Sequence, residues 1–180
     1  MSLPGRLSAA PPSALDTVRL RAVLGRFSTG VTVVTADAGV PCGMTANAFT
    51  SVSLDPPSIL VCVHRDAAIY RAVRKAGCFA VSVLAAGQED LARYFADRSR
   101  PRGAAEFEAV GWSPAPLTGT PVLDGALAWL DCALTTSHDG GDHEIFLGSV
   151  LAVGSGAAQD ALVFFDGSFH RLLSGAKKGP

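Results

Sequence analysis

The chain has 180 residues, 48% of them hydrophobic and 17% charged, with a formal net charge of −1. That length suits one domain with a sizeable core and argues against two independent ones. Near-neutral charge without a basic stripe excludes nucleic acid and anionic membranes as natural partners, and no run approaches the roughly 18 apolar residues of a membrane span.

Residues 1–14 are rich in Pro, Ser and Ala, carry one Arg and lack an extended apolar segment, so a disordered leader is expected there instead of a signal peptide. Asp16 is placed to cap a helix whose Leu20, Val23, Leu24 and Phe27 follow i, i+3, i+4, i+7 spacing. Gly30 opens a β-branched run, 31–35, that reads as a strand. Asp37-Ala38-Gly39 then turns into a second strand, so the two form a hairpin.

That second strand, 43–57, reads as one strand that changes character partway: small and polar through Thr45, Ala46, Asn47 and Ala48, then alternating to a stop at Pro56-Pro57. Small side chains leave space for a flat ligand against the backbone, where a core strand would carry Val, Ile or Leu. A continuous apolar strand, buried on both faces, is expected at 58–63, a short helix at 67–75 and another buried strand at 78–84.

Leu91, Tyr94 and Phe95 mark one face of a helix at 88–97, and an Arg-, Pro- and Gly-rich loop follows at 99–104. Irregular chain through Trp112 leads to long strands at 126–136 and 144–153, joined by a hairpin loop at 137–143. Short strands at 162–165 and 169–172 flank a turn at 166–168. About seven strands and three helices with hairpin-length links predict a mainly β, mostly antiparallel barrel with flanking helices, as a single domain over 15–175. The low charge leaves much apolar surface to cover, so a homodimer is expected. Cys42, Cys62, Cys78 and Cys132 form no CxxC pair and read as buried free thiols in a reducing cytoplasm.

Several chemistries are absent. The nearest approach to GxGxxG, at 154–159, lacks its third glycine and precedes a polar turn, so no Rossmann site is expected. Neither GxxxxGK[ST] nor GxSxG occurs. In the 137–143 loop, His138, Asp142 and His143 admit a metal reading, but HxxxxH in a glycine-rich hairpin is not a recurrent ligand spacing, and no metal is expected. The alternatives are a solvated turn, or His143 set at a barrel mouth against a flat ring. Phe169 alone reads as a core residue.

Taken in order, the run 27–35, the run Met44-Thr45-Ala46-Asn47-Ala48-Phe49-Thr50-Ser51-Val52-Ser53-Leu54-Asp55-Pro56-Pro57, the strands 61–63 and 79–84, Gly141-Asp142-His143 and Gly167-Ser168-Phe169-His170-Arg171 resemble the short-chain flavin reductases. These are the reductase components of two-component flavin monooxygenases, built on the FMN-binding split barrel, and the resemblance spans 15–172. It implies an NAD(P)H:flavin oxidoreductase that passes hydride from NADH or NADPH to FMN or FAD and hands the reduced flavin to a separate monooxygenase. Such transfer needs position more than a general base, because the flavin carries the chemistry.

By the same resemblance, Thr45, Ala46, Asn47 and Ala48 line the flavin ring and ribityl chain, largely through backbone groups. Ser51 and Ser53 reach ribityl or phosphate oxygens, and Cys62, Val63 and His64 meet the other edge. His143 contacts the nicotinamide, and Phe169 flanks the pocket. The chain has Ser82 where the family commonly has Asn, and Asp66-Ala67-Ala68 where it often has hydroxyls, with Arg65 and Arg71 nearby. A non-catalytic flavin-binding module of the same fold is the alternative reading.

Overall fold

The computed structural model describes residues 16–175, so the leader expected at 1–14 lies outside them. Helix α1 (Thr17–Leu24) starts where Asp16 accepts the Val18 N–H at 2.9 Å. Its apolar stripe is not turned inward: no residue of α1 is buried, and Phe27 lies beyond the helix and is exposed. After a two-residue strand, β1 (Thr29–Gly30), β2 (Thr32–Asp37) pairs with β3 (Pro41–Ala46) in the expected hairpin.

The stretch 43–57 is two strands, not one. β3 ends at Ala46, and β4 (Phe49–Leu54) pairs instead with β5 (Pro57–His64). The seven-stranded antiparallel sheet also contains β6 (Cys78–Val83), β9 (Ala128–Gly140) and β10 (His143–Ser155), in the order β3-β2-β6-β9-β10-β5-β4. β3 and β4 therefore lie on opposite edges, although only Asn47 and Ala48 join them. Seven flat strands would hold those edges about 29 Å apart, whereas three peptide links reach about 11 Å. The sheet has to roll until its edges nearly meet, and the unpaired β3–β4 seam is the split in the barrel. Ala48 marks the switch, its carbonyl accepting from the Cys62 N–H at 3.0 Å.

Side chains alternate along β5, with Ile59, Val61 and Val63 buried and their neighbours partly exposed; the expectation of burial on both faces fails here and holds for β6. Helix α2 (Ala68–Ala76) lays Ile69 and Val73 against one core with Val34, Val61, Phe79 and Phe146. Helix α3 (Glu89–Ala96) packs Ala92 and Phe95 into a second core with Val33, Leu84 and Phe107. Burying each such Val or Phe is worth roughly 1.5–3 kcal/mol.

The chain called irregular near Trp112 contains a hairpin, β7 (Trp112–Pro114) with β8 (Pro121–Leu123). β11 (Ala161–Phe165) and β12 (Ser168–Leu172) form a small sheet with β1, turning at Asp166-Gly167. Twelve strands among the described residues replace the expected seven, the short ones carrying too little periodicity to read. Mainly β, antiparallel and rolled, the fold is the split barrel with flanking helices.

Candidate active site

β3 is an edge strand, and its small side chains serve first to admit α3. A Cβ on Gly43 would sit 2.6 Å from Phe95 Cε1, so the ring lies directly on the strand backbone. Thr45 Oγ1 donates to the Ala92 carbonyl at 2.6 Å, so this hydroxyl is committed to the helix. The edge beside Gly43 is closed by side chains. Glu106 Oε1 accepts the Gly43 N–H at 3.1 Å, and Arg100 donates to the Gly43 carbonyl. Arg100 and Glu106 are themselves a buried ion pair at 2.7 Å. Alternation along a strand turns the Thr45 N–H and C=O to the same edge, beyond the reach of that pair.

Two grooves meet at this open edge. One, of about 180 Å³, is walled by Val31, Thr45, Asn47, Ala96, Phe164 and Phe169. The other, of about 260 Å³, shares Thr45 and Ala96 with it and runs past His64 and Ala67 to Arg98, Arg100 and Arg102. The joined trench is aromatic at one end and cationic at the other. Phe164 and Phe169 stand edge to face at 5.3 Å, and Arg93 sits 5.0 Å over the Phe169 ring. At the cationic end α2 begins with Ala67, which gives no side-chain cap, so its first N–H groups are left to other acceptors.

The β9–β10 hairpin supplies the remaining wall. His143 pairs in register with His64, and their rings lie 5.1 Å apart, edge to face. His143 Nδ1 and Asp142 Oδ1 are 2.7 Å apart, and that hydrogen bond is the main reason the Asp142 carboxyl is held below its ordinary range. The two-residue turn Gly141-Asp142 needs a positive φ at its first position, and Gly141 has φ 85°. Asp139 accepts the Gly141 N–H at 2.7 Å, which, ahead of the nearby Arg65, holds its carboxyl down as well. Glu144 is buried between Arg65 (2.8 Å) and Arg74 (3.3 Å), tying the hairpin to the end of β5 and to α2.

The residues expected at the site are only partly brought together. Thr45, Asn47 and Phe169 line the aromatic groove, and His64, with His143 against it, borders the cationic one. Ala46 points into the core, as does Val63, which is fully buried. Ala48 and Cys62 line a separate apolar groove of about 410 Å³ on the far side of Asn47, together with Leu24 and Phe27. Ser51 and Ser53 stand on β4, away from the trench, and the Ser53 hydroxyl is bonded to the Asp55 backbone. Ser82 is buried and accepts the Leu123 N–H at 2.9 Å, a packing role. Arg65 is committed to the hairpin.

Arg98, Arg100, Arg102, Phe164 and Arg93 were not anticipated. The spacing of three arginines at i, i+2, i+4 was visible in a loop read only as polar, and nothing in sequence showed that loop folding back over β3. Among the described residues no group of three or more His, Cys, Asp or Glu side chains is arranged to hold a metal, so His138, Asp142 and His143 do not form one.

A rolled antiparallel barrel split between its edge strands, with a trench beside one of them, defines a class of flavin-handling folds. Residues 24–173 match the flavin reductase like domain, and the chain belongs to that family. It is 48% identical over 174 residues to an NADH-dependent FAD reductase of Streptomyces globisporus, covering 94% of this chain and 96% of that one. It is 37% identical over 162 residues to HsaB of Rhodococcus jostii, the reductase subunit of a flavin-dependent monooxygenase, covering 89% of this chain and 80% of that one. The crystal structure of BorF, the flavin reductase component of a bacterial two-component tryptophan halogenase, superposes with a TM-score of 0.85 at 48% identity, covering 88% of this chain and 99% of that one.

Proposed function

We propose that the chain is a cytoplasmic NAD(P)H:flavin oxidoreductase, one domain over 15–175, that reduces FMN or FAD and releases the product to a separate monooxygenase. The observation that carries this reading is the open edge of β3 at Thr45, set in a trench with phenylalanines at one end and arginines at the other. A flavin has that same polarity: a flat ring with hydrogen-bonding edges, joined by a polar chain to phosphate.

Bound flavin supplies the hydride acceptor. Thr45 and Asn47 offer main-chain and amide groups to its ring edge, Phe164 and Phe169 flank the ring, and Arg93 fixes Phe169. Arg98 and Arg102, aided by the uncapped start of α2, neutralise the phosphate where other members of the family have hydroxyls. His143, oriented by Asp142, meets the nicotinamide. Relatives named as NADH-dependent favour NADH as the reductant. Exposed Phe27, Leu54 and Val153, at 77%, 92% and 65%, are apolar surface of the kind a homodimer covers. No helix among the described residues is long and apolar enough to cross a membrane.

Steady-state oxidation of NADH and NADPH with FMN, FAD and riboflavin in turn tests the reading. Flavin-dependent turnover is the expected result; flavin retained with negligible turnover would instead favour a non-catalytic flavin-binding module.

A further inference from the structure

Resting on the flavin-reductase reading, we propose that the trench continues past its arginines to hold the adenylate half of a dinucleotide flavin, so that the chain selects FAD over FMN. A third groove, of about 450 Å³, adjoins the cationic one and shares Asp66, Ala68 and Arg102 with it. Its other walls include Val40, Pro41, Ala72 and Gly103, with Arg71 at the side. The three grooves follow β3 in order: aromatic at Asn47 and Thr45, cationic at Gly43 and Met44, then Pro41 and Val40. At about 3.4 Å per residue, the first two span about 14 Å of strand and the third adds about 10 Å. A flavin mononucleotide ends at the arginines and leaves the third groove empty; a dinucleotide continues into it.

The charges match a diphosphate at the junction. Among the described residues, Arg71, Arg98 and Arg102 have no carboxylate within salt-bridge distance, while Arg100 is neutralised by Glu106. Asp66 is the opposing charge, and it faces His64 at 3.9 Å. Three cations against one carboxylate leave two positive charges where a diphosphate brings two negative ones. Arg102 Nη2 donates to the Arg98 carbonyl at 2.8 Å, which fixes its guanidinium between the cationic groove and the third. In the third groove the exposed Val40 offers an apolar wall, and Arg71 has the planar guanidinium that stacks on a purine. Glu106 lines it too, with Oε2 buried and without a hydrogen-bond partner among the described residues, an acceptor with capacity for an amino donor.

The ADP half of a nicotinamide cofactor has the same chemistry, so the test separates the two sources. Dissociation constants for FAD, FMN and riboflavin are measured by flavin fluorescence without nicotinamide, and KM for NADH is measured with FMN as acceptor. The wild type should bind FAD about tenfold or more tighter than FMN. Arg71→Glu and Val40→Asp, both at exposed positions, should each remove most of that margin while FMN affinity changes less than about twofold and KM for NADH stays level. Equal affinity for FMN and FAD in the wild type overturns the proposal but leaves the reductase reading standing. So does a variant effect confined to KM for NADH, which would assign the groove to the nicotinamide cofactor. Failure to bind any flavin overturns both.

Discussion

Arg100 and Glu106 form an ion pair 2.7 Å long with side chains 5% and 0% exposed, and together they grip both main-chain groups of Gly43. The pair takes the place of a neighbouring strand on the open edge of β3, which both closes that edge to aggregation and sets where the trench begins. Removing one partner leaves the other charge buried without compensation. Glu106→Ala or Arg100→Ala should therefore lower stability by about 3–5 kcal/mol in urea unfolding. The double replacement Arg100→Met with Glu106→Leu should lose less than either, and a double loss equal to the sum of the singles would contradict the pairing.

Gly43 shows how closely α3 and β3 approach. Its added Cβ would meet Phe95 Cε1 at 2.6 Å and Cδ1 at 2.8 Å, and Phe95 is locked in the core against Phe107 and Arg100. Gly43→Ala should destabilise the protein by about 1–3 kcal/mol through overpacking. Because the clash is with one side chain, Phe95→Leu should be less damaging in the alanine background than in the wild type. A thermal-denaturation double-mutant cycle measures this, and strict additivity would place the strain elsewhere.

Elements built from strong periodicity were legible in the sequence: β2, β5, β6, α2, α3 and the long β9–β10 hairpin. The resemblance added the split barrel, which periodicity alone placed only among antiparallel barrels. The break at Asn47-Ala48 was hidden because both halves have strand-forming residues; what separates them is a change of partner from β2 to β5, a long-range fact. Small residues on β3 were read as room for a ligand, yet part of that room holds Phe95, because sequence does not say which neighbour fills a gap. The stripe on α1 has helical spacing but no partner surface among the described residues. Val63 and Ala46 were counted at the site from a run of neighbours, and strand alternation turned them into the core. Arginines in a Pro- and Gly-rich loop look like solvated charge until the loop is seen folded over the strand.

Burial pushes the Cys132 thiol up to about 12, with Asp131 adding to the shift. Cys42 reaches about 12 as well, chiefly by burial and then by the nearby Glu106 carboxylate. Thiolate is the reactive form, so at pH 8 both should resist a disulfide reagent in the folded protein and react once it is unfolded. The sign of the linkage follows. These thiols keep their protons when folded and lose them near the ordinary value of 9.0 when unfolded. Their stabilising effect is complete below about 9 and is lost as pH rises toward 12. Denaturant midpoints should fall across that alkaline window, and rapid labelling of Cys132 in the native protein would refute its burial.

The hairpin tip titrates in the opposite sense. Asp142 and Asp139 are both held below the ordinary carboxylate range, the first chiefly by His143 and the second chiefly by the Gly141 N–H. A depressed carboxylate stabilises the folded arrangement above its unfolded value of about 3.9 and loses that effect as pH falls through the folded value. From pH 5 to 9 both stay ionised and the Asp142–His143 contact persists, so orientation of the imidazole should not vary with Asp142 in that range. Acidification below about pH 4 should then speed exchange of the Gly141 amide before the barrel unfolds. Asp142→Asn keeps the shape but weakens the hold on His143. It should raise KM for NADH by about threefold to tenfold, the worth of one hydrogen bond, and leave the flavin dissociation constant within about twofold. His143→Ala should lower kcat/KM further while the flavin constant again holds. If either substitution weakened flavin binding as much as it slowed NADH oxidation, His143 would belong to the flavin's binding surface and the nicotinamide would have to approach from elsewhere.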